Sequence, residues 1–414
     1  MDIKEFFQDA VRKQASDIFL IPGMPLAMKI NGRIEPVGEE KVFPAEMDNY
    51  IREIYAISGN RDMTRIQEQG DDDFSFSIVG LSRFRASVMK QRGSLAAVIR
   101  IVRFDLPNPA DIHIPETVLN IASMKKGMVL VTGAAGSGKS TTLACVIDRI
   151  NQTRNAHVIT LEDPIEYLHH HQKSVVTQRE IGHDTASYVD GLRASLRQAP
   201  DVILLGEMRD YETIQTAMTA AETGHLLISP LHTTGAANTI DRIIDVFPAD
   251  GQQQVRVQLA MVLKAVVSQQ LVPAVDGSLI PAFEIMFVNE AIRSMIRESK
   301  IHQIQNVIST SMAEGMVSLD NSLLKYLQLG LITRETCVSY SPNPEQMKCV
   351  WVYSMKRGYR GVIEFTFNSG DRAVPSSILL SISSQQKTPT PTLSVAKISA
   401  FQCAFGGSNP GQID

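Results

Sequence analysis

One string, Gly133-Ala-Ala-Gly-Ser-Gly-Lys-Ser140, constrains the fold of this chain more than any other feature of its sequence. It follows an apolar run of strand length, Met128 to Thr132, and precedes the helical stretch Leu143 to Ile150. Glycines at these spacings let backbone N–H groups turn inward around an anion, and the following helix presents its positive end to the same charge. Strand, loop and helix together therefore predict a P-loop that binds nucleotide phosphates.

Individual side chains of the predicted P-loop have separate expected roles. We expect Lys139 to reach the β and γ phosphates of ATP, and Ser140 to offer its hydroxyl to Mg²⁺. ATP and Mg²⁺ are thus the predicted ligands. The predicted nucleotide-binding residues are Gly133, Ala134, Ala135, Gly136, Ser137, Gly138, Lys139, Ser140, Thr141 and Thr142.

Apolar runs of strand length alternate with helical stretches along the segment 116–289. The runs are MVLVT, HVITLE, DVILLGE and HLLISPL. Near-continuous apolar strands between helices are typical of a parallel sheet that is covered on both faces. We therefore predict an α/β domain with a parallel core over 116–289, followed by a helical subdomain over 290–345, where apolar positions recur at helical spacing.

The chain before this domain predicts a second, smaller α/β domain over residues 1–104. Strand-like alternations such as SDIFLIPG and FRASVMK are separated by glycine- and proline-containing turns. Three prolines between residues 104 and 115 favour extended chain, so we place a linker at 105–115. The tail, 346–414, becomes rich in Ser, Thr and Pro, and its role is not predicted.

Composition excludes several classes of protein. Apolar residues make up 44% and charged residues 20%, which is ordinary globular composition, and a net charge of −4 gives no basic field for nucleic acid. The N-terminus lacks the apolar core of a signal peptide, and no run of about 20 apolar residues occurs, so a soluble cytoplasmic protein is expected. The cysteines Cys145, Cys337, Cys349 and Cys403 are far apart in sequence, and we expect reduced thiols, with a disulfide between Cys349 and Cys403 as the alternative.

A candidate catalytic acid follows the apolar run Val202 to Leu205. Gly206 and Glu207 come directly after it, which places the carboxylate at the edge of the sheet where ligands bind in such folds. We predict that Glu207 is the general base or orients the attacking water. The alternative is a surface acid that pairs with Arg209 or is simply solvated.

Two other predicted strand ends carry polar groups. Glu162 and Asp163 follow one of them, where carboxylates can hold Mg²⁺ or its waters, and Asp163 is the predicted metal ligand. His232 follows another and is a candidate γ-phosphate sensor, with a hydrogen-bonded core histidine as the alternative. The run His169 to His171 is expected to be a solvated loop rather than a metal site.

The order of these segments resembles that of the secretion and pilus-motor ATPases, in which acidic, Walker B and histidine boxes follow the P-loop. Here the four boxes are GAAGSGKSTT, ITLEDPIEY, DVILLGEMRD and GHLLISPLHT. The stretches SDIFLIPGMPLAMKINGRI, DFSFSIVGLSRFRASVMKQRG and AIRSMIRESKIHQI most resemble the subgroup that retracts type IV pili in twitching motility. The likeness covers residues 1–345.

This resemblance implies a fold, an assembly and a partner. It implies an N-terminal PAS-like domain and a RecA-like domain in a hexameric ring, with nucleotide bound between domains. It also implies a cytoplasmic motor at the inner face of the cytoplasmic membrane, which acts on an inner-membrane platform protein and, through it, on pilins. Residues given roles by the resemblance are Glu207 and Glu162 in catalysis, Asp163 in the acidic box, His232 in the histidine box, and Arg83, Arg85 and Arg92 as cationic contacts to phosphates. For these arginines, a solvated hairpin face is the alternative.

The sequence departs from the family pattern at three positions. Ala134 and Ala135 stand where Pro and Thr are usual, but both positions act through backbone. Pro230 replaces a commoner Thr and removes an N–H from an interior strand, so we expect a distorted histidine box and slow turnover.

Three alternative functions stay open. A pilus-extension or type II secretion ATPase would share all four boxes. A nucleotide-binding ring scaffold with little hydrolysis would fit Pro230. A recombinase is disfavoured, because the chain is acidic and has no basic groove interleaved with aromatic residues.

Overall fold

Among the described residues, the two large β-sheets have six and seven strands, and a small third sheet has three. The computed structural model describes residues 2–30, 32–102, 106–345 and 347–348, and the backbone of three short strands between 363 and 398. Residues 103–105, at the predicted domain boundary, Cys349, Cys403 and most of the predicted tail lie outside the described residues.

The first sheet is antiparallel, with strand order β3-β2-β1-β6-β5-β4. Its strands alternate between buried and exposed positions, as a sheet covered on one face requires: in β5, Phe84, Ala86 and Val88 are buried, whereas Arg85 and Ser87 are exposed. The elements are α1 (Ile3–Arg12), β1 (Asp17–Leu20), β2 (Ala27–Ile30), β3 (Arg33–Pro36), α2 (Pro44–Ile57), α3 (Thr64–Gln69), β4 (Asp71–Ile78), β5 (Ser82–Gln91) and β6 (Ser94–Val102).

The second sheet has the order β13-β12-β7-β11-β10-β8-β9. Its neighbours pair in parallel except at one edge, where β13 runs antiparallel to β12. The strands are β7 (Gly127–Thr132), β8 (His157–Glu162), β9 (Val175–Glu180), β10 (Val202–Leu205), β11 (Leu226–Leu231), β12 (Leu263–Pro273) and β13 (Leu279–Phe287).

Helices cover both faces of the second sheet. Met128 and Leu130 of β7 pack into one apolar cluster, whereas Val129 and Val131 pack into another on the opposite face, so every residue of this strand is buried. This explains the continuous apolar run in the sequence. The helices are α4 (Glu116–Leu119), α5 (Lys139–Thr153), α6 (Tyr188–Ser195), α7 (Tyr211–Glu222), α8 (Ala236–Asp245) and α9 (Gln252–Val262).

The described chain after β13 is helical up to Ser339. Tyr326 donates a 2.8 Å hydrogen bond to the carbonyl oxygen of Pro281, which fixes one of these helices on the β12–β13 hairpin. The helices are α10 (Glu290–Arg297), α11 (Ile304–Thr310), α12 (Leu319–Gln328) and α13 (Arg334–Ser339). The predicted fold class is confirmed: a smaller N-terminal α/β domain precedes a P-loop α/β domain with a parallel core and C-terminal helices.

Within the tail, three further strands form a small antiparallel sheet of order β14-β15-β16. They are β14 (Ile363–Asn368), β15 (Ser377–Ile382) and β16 (Lys397–Ile398). In the part of the chain that the structure describes, none of the helices combines the length and the apolar character needed to cross a bilayer.

Candidate nucleotide-binding site

The P-loop connects the end of β7 to the start of α5 and lies against β12. Gly133 and Gly138 have positive φ angles, +149° and +85°. A Cβ atom on Gly133 would lie 2.2 Å from the carbonyl oxygen of Gln269, and one on Gly138 would lie 2.9 Å from the Gln269 amide nitrogen. Both glycines are therefore required by backbone conformation and by the close approach of β12.

Lys139, the first residue of α5, folds back over the loop. Its ammonium donates 2.8 Å hydrogen bonds to the carbonyl oxygens of Gly133 and Ala134. Burial lowers the pKa of Lys139, and the nearby carboxylate of Glu166 opposes this shift. The cation is thus held at the loop, which is where an incoming phosphate would replace the two carbonyl groups.

Gln269 of β12 braces the P-loop and was missed by the sequence analysis. Its side-chain oxygen accepts a 2.7 Å hydrogen bond from the Thr142 hydroxyl, and its amide donates over 2.8 Å to the carbonyl oxygen of Ser137. The side chain is buried. No motif marks this glutamine, because it meets the loop only through the pairing of β12 with β7.

The predicted acidic residues occupy the end of β8. Glu162 accepts hydrogen bonds from the Thr160 hydroxyl, 2.6 Å, and from the Gln178 amide, 3.2 Å. Burial raises the pKa of Glu162, and these two donors oppose the shift. Asp163 is exposed and begins the loop that leads away from the strand.

The same loop returns to the first turn of α5. The Ser140 hydroxyl donates to Glu166 Oε1 over 3.1 Å, and Thr141 Oγ1 lies 2.8 Å from the Tyr167 hydroxyl. Sequence analysis gave neither Glu166 nor Tyr167 a role, although both belong to the ITLEDPIEY box. The Ser140 hydroxyl and the Glu166 carboxylate offer oxygen atoms as metal ligands, which is the type that Mg²⁺ prefers. These residues therefore fit the predicted metal.

The histidine run that follows is not wholly solvated, and that expectation is wrong for His169. Burial lowers the pKa of His169 to about 4, and its backbone N–H donates to the Gln178 side chain over 2.9 Å. His171 accepts a 3.1 Å hydrogen bond from the backbone N–H of Val176. Among the described residues, no group of three or more His, Cys, Asp or Glu side chains is arranged to hold a metal ion.

Glu207 emerges just beyond β10, after a glycine that the packing requires. The Gly206 N–H donates to the carbonyl oxygen of Leu161 over 2.7 Å, and a Cβ atom on Gly206 would lie 2.8 Å from that oxygen. The Glu207 carboxylate contacts the Arg209 guanidinium, which is the alternative that the sequence left open. Glu207, Arg209 and His232 line one cavity of about 270 Å³.

His232 follows β11, which remains a regular strand through Pro230. Pro230 pairs with Val131 of β7, and the next residue, Leu231, accepts a 3.2 Å hydrogen bond from the Gly133 N–H on that side. The backbone N–H and C=O groups of successive residues point to opposite neighbouring strands, so the nitrogen of Pro230 points toward β10. The pairing of β11 with β10 has already ended at Ile228, so no hydrogen bond is lost there. The expected distortion of the histidine box is therefore absent.

Burial lowers the pKa of His232, and the charges of Lys139 and Arg209 lower it further. Two cations beside the imidazole therefore favour its neutral form. Lys139 and Arg209 come from the P-loop and from the turn after β10, so the structure brings residues of three predicted boxes together.

The three predicted arginine contacts occupy different environments. Arg83 of β5 donates a 2.9 Å hydrogen bond to Glu180 Oε2 of β9, and this ion pair joins the two sheets within one chain. Arg85 is exposed on the same strand, and Arg92 lies in the exposed turn between β5 and β6. Contacts of these arginines with phosphates stay predictions.

Comparisons with known proteins agree with this architecture. A sequence model of the family described as type II/IV secretion system protein matches residues 1–309. The chain is 40% identical over 345 residues to the type IV pilus retractation ATPase PilT of Pseudomonas aeruginosa, covering 83% of this chain and 99% of that protein. It is 42% identical over 322 residues to a twitching motility protein of Neisseria gonorrhoeae, covering 77% of this chain and 85% of that protein.

A solved structure resembles most of this architecture. The crystal structure of the pilus retraction motor PilT with bound ADP superposes with a TM-score of 0.76 at 42% sequence identity. The match covers 84% of this chain and 99% of that one.

Proposed function

This chain belongs to the type II/IV secretion system protein family, and we propose that it is an ATP-hydrolysing motor that retracts type IV pili. The observation that carries the proposal is the cavity that Glu207 and His232 line at the carboxyl edge of a parallel sheet, beside a P-loop braced by Gln269. The charge of Lys139 in that loop reaches His232 and lowers its pKa. The names of the relatives, a pilus retraction ATPase and a twitching motility protein, support retraction as the work that hydrolysis drives.

Phosphate binding begins with Lys139. On this proposal its ammonium exchanges the carbonyl oxygens of Gly133 and Ala134 for the β and γ phosphates of ATP, while the N–H groups of the loop and of α5 point at the same charge. Ser140, together with Glu166 and Asp163 of the acidic loop, would hold Mg²⁺, which neutralises phosphate charge when bound.

Hydrolysis requires Glu207 to act on water. The Glu207 carboxylate leaves the Arg209 guanidinium and orients a water molecule toward the γ phosphate. It takes up a proton from this water as the water oxygen bonds to the γ phosphorus and the bond from that phosphorus to the β–γ bridging oxygen breaks, so that ADP leaves with the electron pair. Arg209 is then free to approach the developing charge. Neutral His232, on the adjoining strand, can donate or accept a hydrogen bond at the phosphate without adding charge.

We propose that the chain assembles as a homo-hexamer at the cytoplasmic face of the inner membrane, where it drives a platform protein and thereby pilins. In such a ring, Arg85 and Arg92 are exposed and can reach a neighbouring site, whereas Arg83 would first have to leave Glu180. The proposed parts are an N-terminal domain over 1–104, a linker over 105–115, an ATPase domain over 116–289, a helical subdomain over 290–345 and a tail over 346–414.

An extension or secretion ATPase remains an alternative because it would share all four boxes. The scaffold alternative loses its main support, because β11 passes regularly through Pro230.

The test is steady-state Mg-ATP hydrolysis by the purified full chain, with oligomer mass measured in the same samples. We expect turnover from a ring-sized species, loss of nucleotide binding and turnover in Lys139→Ala, and loss of turnover with binding retained in Glu207→Gln. Glu222→Gln, at an exposed glutamate of α7, serves as the matched control. Normal hydrolysis by Glu207→Gln would refute the role given to that residue, and nucleotide binding without turnover in the wild type would favour a scaffold.

A further inference from the structure

A buried carboxylate that the proposed mechanism does not use lies between the histidine loop and the C-terminal helices. We define the histidine loop as residues 232–235, between β11 and α8. Glu284 of β13 is 5% exposed and stands directly across from Ser268 of β12. Burial raises the pKa of Glu284, and two hydrogen bonds oppose that shift. A buried acid needs such partners, so their identity indicates what the residue does.

Both partners of Glu284 are informative. Oε1 accepts a 2.8 Å hydrogen bond from the backbone N–H of Ala236, the first residue of α8. Oε2 accepts a 3.0 Å hydrogen bond from the side-chain amide of Gln305 on α11. One carboxylate therefore joins the start of α8 to a helix of the C-terminal region.

The start of α8 has no cap of its own. Gly235 occupies the N-cap position and has no side chain to accept from the helix, so Glu284 supplies the negative oxygen that the first turn of a helix favours. Ser268 adds a second fastening, since its hydroxyl accepts from the Gly235 N–H over 2.9 Å. The cross-strand pair Ser268 and Glu284 thus holds the end of the histidine loop.

The loop itself is short and fixed at both ends. At its beginning, the Leu231 carbonyl accepts from the Gly133 N–H of the P-loop over 3.2 Å, and at its end Ala236 is bound by Glu284. Because only four residues separate these anchors, the position of Ala236 limits the conformations open to the loop that carries His232.

We propose that Glu284 is a positioning residue that sets the place of His232 and, through Gln305, couples the histidine loop to α11. The inference rests on the proposed function, because it assumes that His232 serves ATP hydrolysis. Movement of α11 during a motor cycle would then change turnover without changing the P-loop. The direct contacts of Glu284 are with backbone and an amide, so it is not a catalytic residue.

The sharpest variant removes only the link to α11. Gln305→Met keeps side-chain length but cannot donate to Glu284, and Gln303→Met, at an exposed glutamine just before α11, is the matched control. Glu284→Gln is a milder change, because the Gln305 amide can turn so that its oxygen accepts from the new amide group. The double variant Glu284→Gln/Gln305→Glu again pairs one carboxylate with one amide. Its new amide oxygen on β13 can still accept from the Ala236 N–H.

Two measurements on the full-length protein decide the matter: ATP hydrolysis over a range of ATP concentrations, and amide hydrogen exchange in the peptide containing residues 232–236. We expect Gln305→Met to lower kcat about fivefold with KM within twofold of wild type, as loss of one positioning hydrogen bond would do, and Glu284→Gln to lower kcat by less than that. Exchange in the peptide should become about tenfold faster. In the double variant, kcat and the hydrogen-exchange rate should both return to within twofold of wild type. Gln303→Met should match wild type in both.

Other outcomes overturn the proposal. Wild-type kcat and wild-type exchange in Gln305→Met would show that α11 is not coupled to the loop. If Gln305→Met also lost nucleotide affinity, or if the double variant did not recover kcat, the changes would disturb the structure generally and the coupling would be refuted. If the wild type does not hydrolyse ATP, the motor function fails, yet the exchange measurement still tests the fastening of the loop by Glu284 and Gln305.

Discussion

The hydroxyl of Ser140 donates a hydrogen bond to Glu166 Oε1, joining the first turn of α5 to the acidic loop. Glu166 is also close enough to raise the pKa of Lys139 against the effect of burial. Its negative charge therefore stands where the phosphates of a nucleotide would bind. Glu166→Gln should tighten binding of metal-free ADP about fivefold, because one repulsive charge is removed.

Calorimetric titration with ADP in excess chelator measures this effect, and Glu222→Gln, on the surface of α7, controls for the change in net charge. Unchanged ADP affinity in Glu166→Gln would mean that this carboxylate does not face the phosphates.

The ion pair between Arg83 and Glu180 joins the two sheets and can be measured by a double-mutant cycle. Glu180 is buried and its Oε2 also accepts from the Ile165 N–H over 3.2 Å, so Arg83→Ala leaves a buried charge with one partner fewer. We expect Arg83→Ala to lower the free energy of unfolding by about 3 kcal/mol, and the double variant with Glu180→Gln to cost less than the sum of the single changes.

Urea unfolding provides these free energies, with Arg33→Ala, at an exposed arginine of β3, as the control. Strict additivity of the two single variants would contradict the coupling.

Pro230 should have little effect on catalysis. Its nitrogen faces a part of β11 that β10 no longer accompanies, so a restored N–H would gain no partner in the ladder. Pro230→Thr should therefore change kcat by less than twofold and stability by less than about 0.5 kcal/mol. A tenfold rise in ATP turnover in this variant would instead support the slow histidine box that the sequence suggested.

His169 should make stability depend on pH. Its pKa in the folded chain is about 4, against about 6.5 when unfolded, so the unfolded chain binds the proton first as the pH falls. The stabilisation that depends on neutral His169 is fully present above pH 6.5 and is lost as the pH falls toward 4. At pH 5 this loss lowers the free energy of unfolding by about 2 kcal/mol.

Urea unfolding of wild type and His169→Gln at pH 7 and pH 5 isolates this contribution, because other titrating groups are common to both proteins. The variant should lose about 2 kcal/mol less than wild type on acidification. The same loss in both proteins would contradict it, and His302→Gln, at an exposed histidine, should behave like wild type.

Local chemistry made much of the fold predictable. The buried run Met128 to Thr132 and the glycines of the P-loop gave strand, loop and helix, because the phosphate-binding turn constrains its own sequence. The antiparallel edge strand β13 was not predicted, since its apolar run reads like that of its parallel neighbours. Gln269 and Glu284 were missed for a different reason: their partners lie in distant segments, and no local pattern marks them.

The sequence by itself determined the fold class, the P-loop and the order of the boxes, because each depends on residues close together in the chain. Only the tertiary structure decided which distant groups meet: Arg83 pairs with Glu180, and Glu284 binds the start of α8. The physical reason is that hydrogen bonds and ion pairs require atoms within about 3 Å of each other. Only the packing of strands and helices brings residues of distant segments that close.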